Sequence, residues 1–146
     1  MPDRDTSKAA GIADGVTRLF YTLDFVSLFE FTLANHRRAD VCCLGPKAQI
    51  IIVEVKSSVA DFKSDDKWPE YAPYCDQFYF AVAQDFPQEL IPKTAGLIVA
   101  DAFGGAILRH PETHPLKAAR RKAMMLKFAR MAARRHMRVD AEPIEN

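Results

Sequence analysis

At 146 residues, 49% hydrophobic and 27% charged, the chain has the size and composition of one globular domain whose core needs neither disulfides nor a structural metal. The formal net charge of +1 hides an asymmetry: Arg109 to Arg138 holds ten Lys or Arg against one acid, Glu112, leaving ten cations against eighteen acids elsewhere. The three cysteines form no CxxC pair, and the adjacent Cys42 and Cys43 are poorly placed to bridge, which excludes a disulfide framework or zinc knuckle and points to a reducing compartment.

Met1-Pro2-Asp3-Arg4-Asp5 is charged and lacks the apolar core of a signal peptide. No apolar stretch approaches the roughly 18 residues of a membrane span, so a cytoplasmic protein without membrane contact is expected. Residues 1–5 and 139–146 read as flexible polar tails around a domain over 6–138. Thr6 or Ser7 is placed to cap a helix whose apolar positions Ala9, Ile12, Ala13, Val16, Leu19 and Phe20 follow helical spacing. Gly11 and Gly15 weaken that helix but let it lie close to a neighbour. Val26 to Leu33 alternates Leu28, Glu30 and Thr32 against Phe29, Phe31 and Leu33, a half-buried strand. Asn35-His36 is the turn into a second strand, Ala39 to Leu44, which Gly45-Pro46 breaks. Gln49 to Ser57 is the third strand, and the β-branched run Ile50 to Val53 marks it as buried.

A short helix is expected over Ser58 to Asp66, with Val59 and Phe62 facing inward. A loop with Trp68, Tyr71 and Tyr74 leads to a strand over Gln77 to Ala83, a helical turn over Phe86 to Ile91, and a strand over Gly96 to Ala100. Gly104-Gly105 is expected as a hairpin turn into Ala106 to Arg109. His110 and His114, separated by Pro111-Glu112-Thr113, have the spacing of a turn and not of a zinc helix. Pro115 at a first helical position opens a last helix running to about Met137. This order reads as one α/β sandwich, a central mixed sheet flanked by helices.

Period-2 alternation puts Ile50, Ile52, Glu54 and Lys56 on one face of the third strand, so an acid and a base emerge side by side. Asp40 supplies a second carboxylate if its strand pairs with the third. Two converging carboxylates repel unless a cation or a shared proton relieves them, and a hard divalent ion does so well. Asp40 followed by Glu54-Val55-Lys56 resembles the motif of the PD-(D/E)XK nuclease superfamily, with Ala39 in place of its proline. The bland alternative is a solvent-facing Glu-x-Lys and an unrelated Asp.

A second resemblance spans more of the chain. Glu30-Phe31-Thr32-Leu33-Ala34-Asn35-His36-Arg37-Arg38-Ala39-Asp40, Val53-Glu54-Val55-Lys56-Ser57-Ser58, Asp66-Lys67-Trp68-Pro69-Glu70-Tyr71, Cys75-Asp76-Gln77-Phe78-Tyr79-Phe80 and Thr94-Ala95-Gly96-Leu97-Ile98-Val99-Ala100-Asp101 resemble the MmcB family of bacterial DNA repair proteins, in that family's order. The resemblance implies a nuclease-like fold and a role in DNA repair, not a demonstrated cleavage activity. The PD-(D/E)XK resemblance implies Asp40, Glu54 and Lys56 as catalytic residues, with Mg²⁺ or Mn²⁺ held by Asp40, Glu54 and the Val55 carbonyl. Lys56 would position the attacking water and stabilise charge on the phosphate. DNA, and other repair proteins, would be the partners, in the cytoplasm at the nucleoid. The competing reading is a DNA-structure-binding repair factor with the fold and little turnover.

Two further residues stand near this set. Glu30 is as far before the Asn35 turn as Asp40 is after it, so it is either a third acid of the site or a strand carboxylate paired with Arg37 or Arg38. Lys67 is either a polar residue approaching the site or a surface lysine beside Trp68. Winding the last helix at 100° per residue gathers Arg120, Lys127, Arg134 and Arg138 into a stripe, flanked by Lys117, Arg130 and Arg135. With no acid to neutralise it, the stripe is expected to bind the nucleic-acid backbone; the alternatives are a solvated face, a surface for an acidic partner, or an anionic membrane surface, which the alanine-rich apolar face without Trp disfavours. Ala118, Met125, Leu126, Ala129, Ala132 and Ala133 are expected to pack, with Met124 and Met131 intruding on the basic side. Trp68, Tyr71 and Tyr74 are expected mainly as packing, with base stacking as the alternative, and Asp76, Gln77 and Tyr79 as structural.

Overall fold

The β-branched run after Gln49 becomes the spine of the molecule. The structure, a computed structural model, describes residues 4–140. β3 (Ile50–Lys56) is buried along its whole length, as befits a strand covered on both faces. β1 (Val26–Thr32), β2 (Arg38–Leu44) and β3 form an antiparallel meander. β4 (Gln77–Val82) and β5 (Gly96–Asp101) then run parallel to β3, and β6 (Gly104–Arg109) returns antiparallel. All six lie in sequence order in one mixed sheet. Parallel pairs need crossovers. α2 (Val59–Ser64) and a 3₁₀ segment, Trp68–Tyr74, provide the first, and a 3₁₀ turn at Gln88–Leu90 sits in the second. α1 (Arg4–Thr22) covers one face of the sheet and α3 (Ala118–Asp140) the other, giving the expected single α/β sandwich.

Alternation along β3 sorts the core in two. Ile51, Val53 and Val55 face α1 through Ile12, Val16 and Phe20, while Ile50 and Ile52 face Phe78, Phe80 and Phe128 on the other side. Each such side chain contributes about 1.5–3 kcal/mol by leaving water. The apolar stripe expected of α1, from Ala9 to Phe20, is the one that packs. Thr6 and Ser7 lie inside that helix, not at its start. Of its two glycines only Gly15 is forced by contact: a Cβ there would stand 1.9 Å from the Asp101 carbonyl oxygen, whereas at Gly11 the nearest atom is 3.6 Å away.

The Asn35-His36 turn forms as expected, with the Leu33 amide donating to the Arg37 carbonyl (2.7 Å) and the Asn35 Oδ1 accepting from the Arg37 amide (3.0 Å). Four further expectations need correction. The alternation of β1 breaks at Glu30, whose φ is 50°, so Leu28 packs on the same core as Phe31 and Leu33 while Phe29 is exposed. The β5–β6 turn is Ala102-Phe103, because the Asp101 carboxylate accepts from the Phe103 and Gly104 amides; both glycines fall in β6. α3 starts at Ala118 and not at Pro115, since Asp76 ties down the preceding segment through the His114 and Leu116 amides.

The largest correction is the roll of α3. Met124 and Phe128 are its buried residues, with Met131 packed beside them, while Met125 and Leu126 are exposed. Phe128 stacks toward Phe31 (centroids 6.1 Å), and its ring buries more apolar surface than the alanines on the opposite side. The polar termini lie largely outside the described residues. No helix among the described residues is long and apolar enough to cross a membrane.

Candidate functional site

The β2–β3 ladder runs from Leu44↔Ile50 to Val41↔Val53, and the next residues in register are Asp40 and Glu54. There the side chains take over from the backbone. The Asp40 amide donates to Glu54 Oε1 (2.9 Å), and the Val55 amide donates to Asp40 Oδ2 (2.8 Å). Each carboxylate thus satisfies an amide that the parting strands would orphan. Glu54 is only 6% exposed. Burial, and then the charge of Asp40, push its carboxyl up to about 9; burial also raises Asp40. Carboxyls this close hold one proton between them near neutral pH unless a cation displaces it.

Lys56, also 6% exposed, leaves the same face of β3 as Glu54. Its Nζ stands 2.7 Å from Asp65 Oδ2 and 3.9 Å from Asp61 Oδ1. Burial raises the Asp65 carboxyl, but the Lys56 bond and the Lys67 and Trp68 amides outweigh it, so the group lies below its ordinary range. Ser58 fixes this arrangement as the N-cap of α2, its side chain accepting from the Asp61 amide (3.0 Å). Sequence reasoning missed both aspartates. Their signal was three acids, Asp61, Asp65 and Asp66, within the ten residues that follow a lysine at the end of a buried strand.

Glu30, Asp40, Glu54, Val55, Lys56 and Asp61 line one cleft of about 500 Å³, walled on the far side by Ala9, Ala13 and Asp14 of α1. Glu30 stands opposite Asp40 between the pairs Phe29↔Val41 and Phe31↔Ala39, and Arg37 pairs with Glu70 instead. Lys67 is exposed and is not part of the lining; its amide, donating to Asp65 Oδ1 (2.8 Å), helps hold the partner of Lys56.

Among the described residues no group of three or more His, Cys, Asp or Glu side chains is placed to enclose a metal ion. The available oxygens are the Asp40 and Glu54 carboxylates and the Val55 carbonyl, which leaves the strand on the same side as the amide bonded to Asp40. Hard oxygens in an incomplete shell suit Mg²⁺, which keeps several waters. The shared-proton pair is the uncompensated charge such an ion would relieve.

The basic stripe of α3 lies along one flank of its buried face. Arg120, Lys127, Arg130 and Arg134 line a groove of about 520 Å³ with Tyr74 and Ala34. Arg120 sits over the Tyr74 ring, 4.4 Å from its centroid. Lys117 and Arg138 are exposed outside the groove. Arg135, next to the groove residue Arg134, donates to the Glu30 carbonyl (3.0 Å), tying α3 to the β1 residue that lines the carboxylate cleft. Arg121 belongs to neither: it forms a two-pronged pair with Asp76 (2.7 Å each). Tyr71, Tyr74 and Trp68 pack, with Trp68 stacked on Phe78 (5.7 Å).

A family model described as DNA repair protein MmcB-like matches residues 1–142. A solved structure, the SPO1766 protein of unknown function from Silicibacter pomeroyi, is similar at 41% identity over 95% of this chain and 97% of that one, with a TM-score of 0.91. A search of curated proteins found no match.

Proposed function

The chain belongs to the MmcB-like family of DNA repair proteins, and from that premise we propose that it is a metal-dependent deoxyribonuclease of the PD-(D/E)XK type. One observation carries the reading: the half-buried Asp40 and the buried Glu54 and Lys56 line one cleft at the open end of the central strand, with Asp40 and Glu54 tied together by hydrogen bonds. Asp40, Glu54 and the Val55 carbonyl would hold Mg²⁺ or Mn²⁺, which supplies Lewis-acid activation of a water and of the scissile phosphate. The Lys56 ammonium faces the same cleft and offsets negative charge on the phosphate. Glu30 and Asp61 add negative charge at the rim, which favours a cation in the centre. The α3 groove, through Arg120, Lys127, Arg130 and Arg134, would hold flanking phosphates without reading sequence.

A second reading, a repair factor that binds DNA structures with little turnover, draws on the Lys56–Asp65 pair, which occupies the ammonium on the α2 side of the cleft. One experiment separates the two. Single-stranded, flapped and branched DNA are incubated with the protein in Mg²⁺, Mn²⁺ or chelator. Metal-dependent cleavage that Lys56→Ala abolishes, with DNA affinity kept within a few-fold, supports the nuclease, since one charge beside the scissile phosphate matters most in the transition state. No cleavage of any substrate by pure wild type leaves the binding factor. Calorimetry with Mn²⁺ on wild type and Glu54→Ala tests the ion site, and equal binding by both would remove it.

A further inference from the structure

Ten large apolar side chains of the described residues are exposed, and four of them, Tyr21, Val26, Phe29 and Phe103, line one cleft of about 720 Å³. Scattered surface apolar residues need no explanation, but a cluster does. Phe103 is 90% exposed at the tip of the β5–β6 turn, and Tyr21 is 77% exposed on α1. Neither contributes to the core, so packing does not account for them. Arg18 lines the same cleft, and no carboxylate does. Phe29 is a wall of both this cleft and the carboxylate cleft, because the positive φ at Glu30 leaves it outside the core.

We propose that this aromatic cleft stacks unpaired bases of the strand whose backbone passes the carboxylates, so that the substrate is single-stranded or locally unpaired DNA. The proposal rests on the nucleic-acid reading above and names its substrate class. Rings with free faces, one guanidinium and no acid suit bases on a flexible backbone, since every base offers a π-face and a phosphate needs a cation. A duplex keeps its bases stacked inside and cannot use the rings.

The test measures binding in chelator, where no cleavage occurs, by anisotropy of a labelled oligothymidine and of a duplex of matched length. Tyr21→Ala with Phe103→Ala should weaken single-strand binding by about tenfold or more, on the scale of lost base stacking. Duplex binding should stay within about twofold, and the salt dependence should not change, because no phosphate contact is removed. Tyr21→Phe with Phe103→Trp should restore single-strand affinity. By contrast, Lys127→Gln with Arg130→Gln and Arg134→Gln should weaken both ligands and lower the salt slope by up to about three. Unchanged single-strand affinity in the alanine variant would overturn the proposal and leave the cleft to an apolar segment of a protein partner. Equal losses on both ligands would overturn stacking as the cause. Ring-dependent binding by a wild type that never cleaves would instead overturn only the hydrolytic reading.

Discussion

Burial governs the Asp40–Glu54 pair, and its pH dependence follows in sign. A carboxyl whose folded pKa is raised binds its proton more tightly in the native state than in the unfolded one. Its contribution to stability is present below the ordinary carboxylate range and is lost as pH rises toward the folded value. For Glu54 that window runs from about 4.5 to about 9. Glutamine mimics the protonated acid and keeps an oxygen for the Asp40 amide. In chelator, wild type should therefore melt at progressively lower temperature from pH 5 to 9, and Glu54→Gln should flatten that slope. The substitution should gain on the order of 2 kcal/mol at pH 8. Thermal melts across the series decide it: parallel slopes in the two proteins would mean that the pair does not hold a proton. The same argument predicts that Mn²⁺ binding to wild type releases a proton near neutral pH, which calorimetry in buffers of different ionisation enthalpy reads directly.

The two glycines of α1 have opposite fates. At Gly15 a methyl would meet the Asp101 and Gly104 carbonyl oxygens at 1.9 and 2.5 Å, and backbone cannot step aside cheaply. Gly15→Ala should cost about 2–3 kcal/mol or more by forcing α1 off the β5–β6 hairpin. At Gly11 the nearest atom is the Ala102 Cβ at 3.6 Å, an ordinary contact, so Gly11→Ala should be neutral or stabilise by up to about 1 kcal/mol through helix propensity. Urea denaturation of both variants checks the pair, and equal effects would refute the close approach. α3 shows why helical spacing alone left a choice. It carries apolar residues around most of its circumference, Met124, Phe128 and Met131 on one side and Met125, Leu126 and Ala129 on the other. Phe128 is its one aromatic residue, and the helix rolls to bury it.

At the scale of the molecule, Asp76 joins parts that are distant in sequence. It accepts from the Ile50 amide (2.8 Å), the Leu116 amide (2.8 Å) and both prongs of Arg121, which also donates to the Ala48 carbonyl (2.7 Å). This knot ties the starts of β3 and β4 to the segment leading into α3. Burial raises the Asp76 carboxyl, but Arg121 and the two amides hold it below its ordinary range, so its contribution is lost as pH falls through and below that range. Arg121→Ala should cost about 2–3 kcal/mol, less than a fully buried pair because the guanidinium keeps some water. Arg121→Lys should not restore it, since one ammonium cannot span both carboxylate oxygens. Hydrogen exchange should show the loss first in α3, and protection unchanged there would mean that the helix is held by Phe128 and Met124 alone.

The sequence by itself determined what depends on near neighbours along the chain: the buried β3, the hairpin around Asn35, the packed stripe of α1, and Glu54 and Lys56 on one face of a strand. Period-2 alternation and turn chemistry are local, and an isoleucine run has few places to go but a covered sheet. Asp40 opposite Glu54 was within reach of the same reasoning, because a short antiparallel pair fixes its own register. Only the tertiary structure decided that Asp65 holds Lys56, that Arg121 answers Asp76 across 45 residues, that Glu30 turns its strand over and leaves Phe29 outside, and which side of α3 faces the sheet. Each of those turns on which surface is removed from water and which charge is left needing a partner. Those are properties of the whole packing, which no window of neighbouring residues contains.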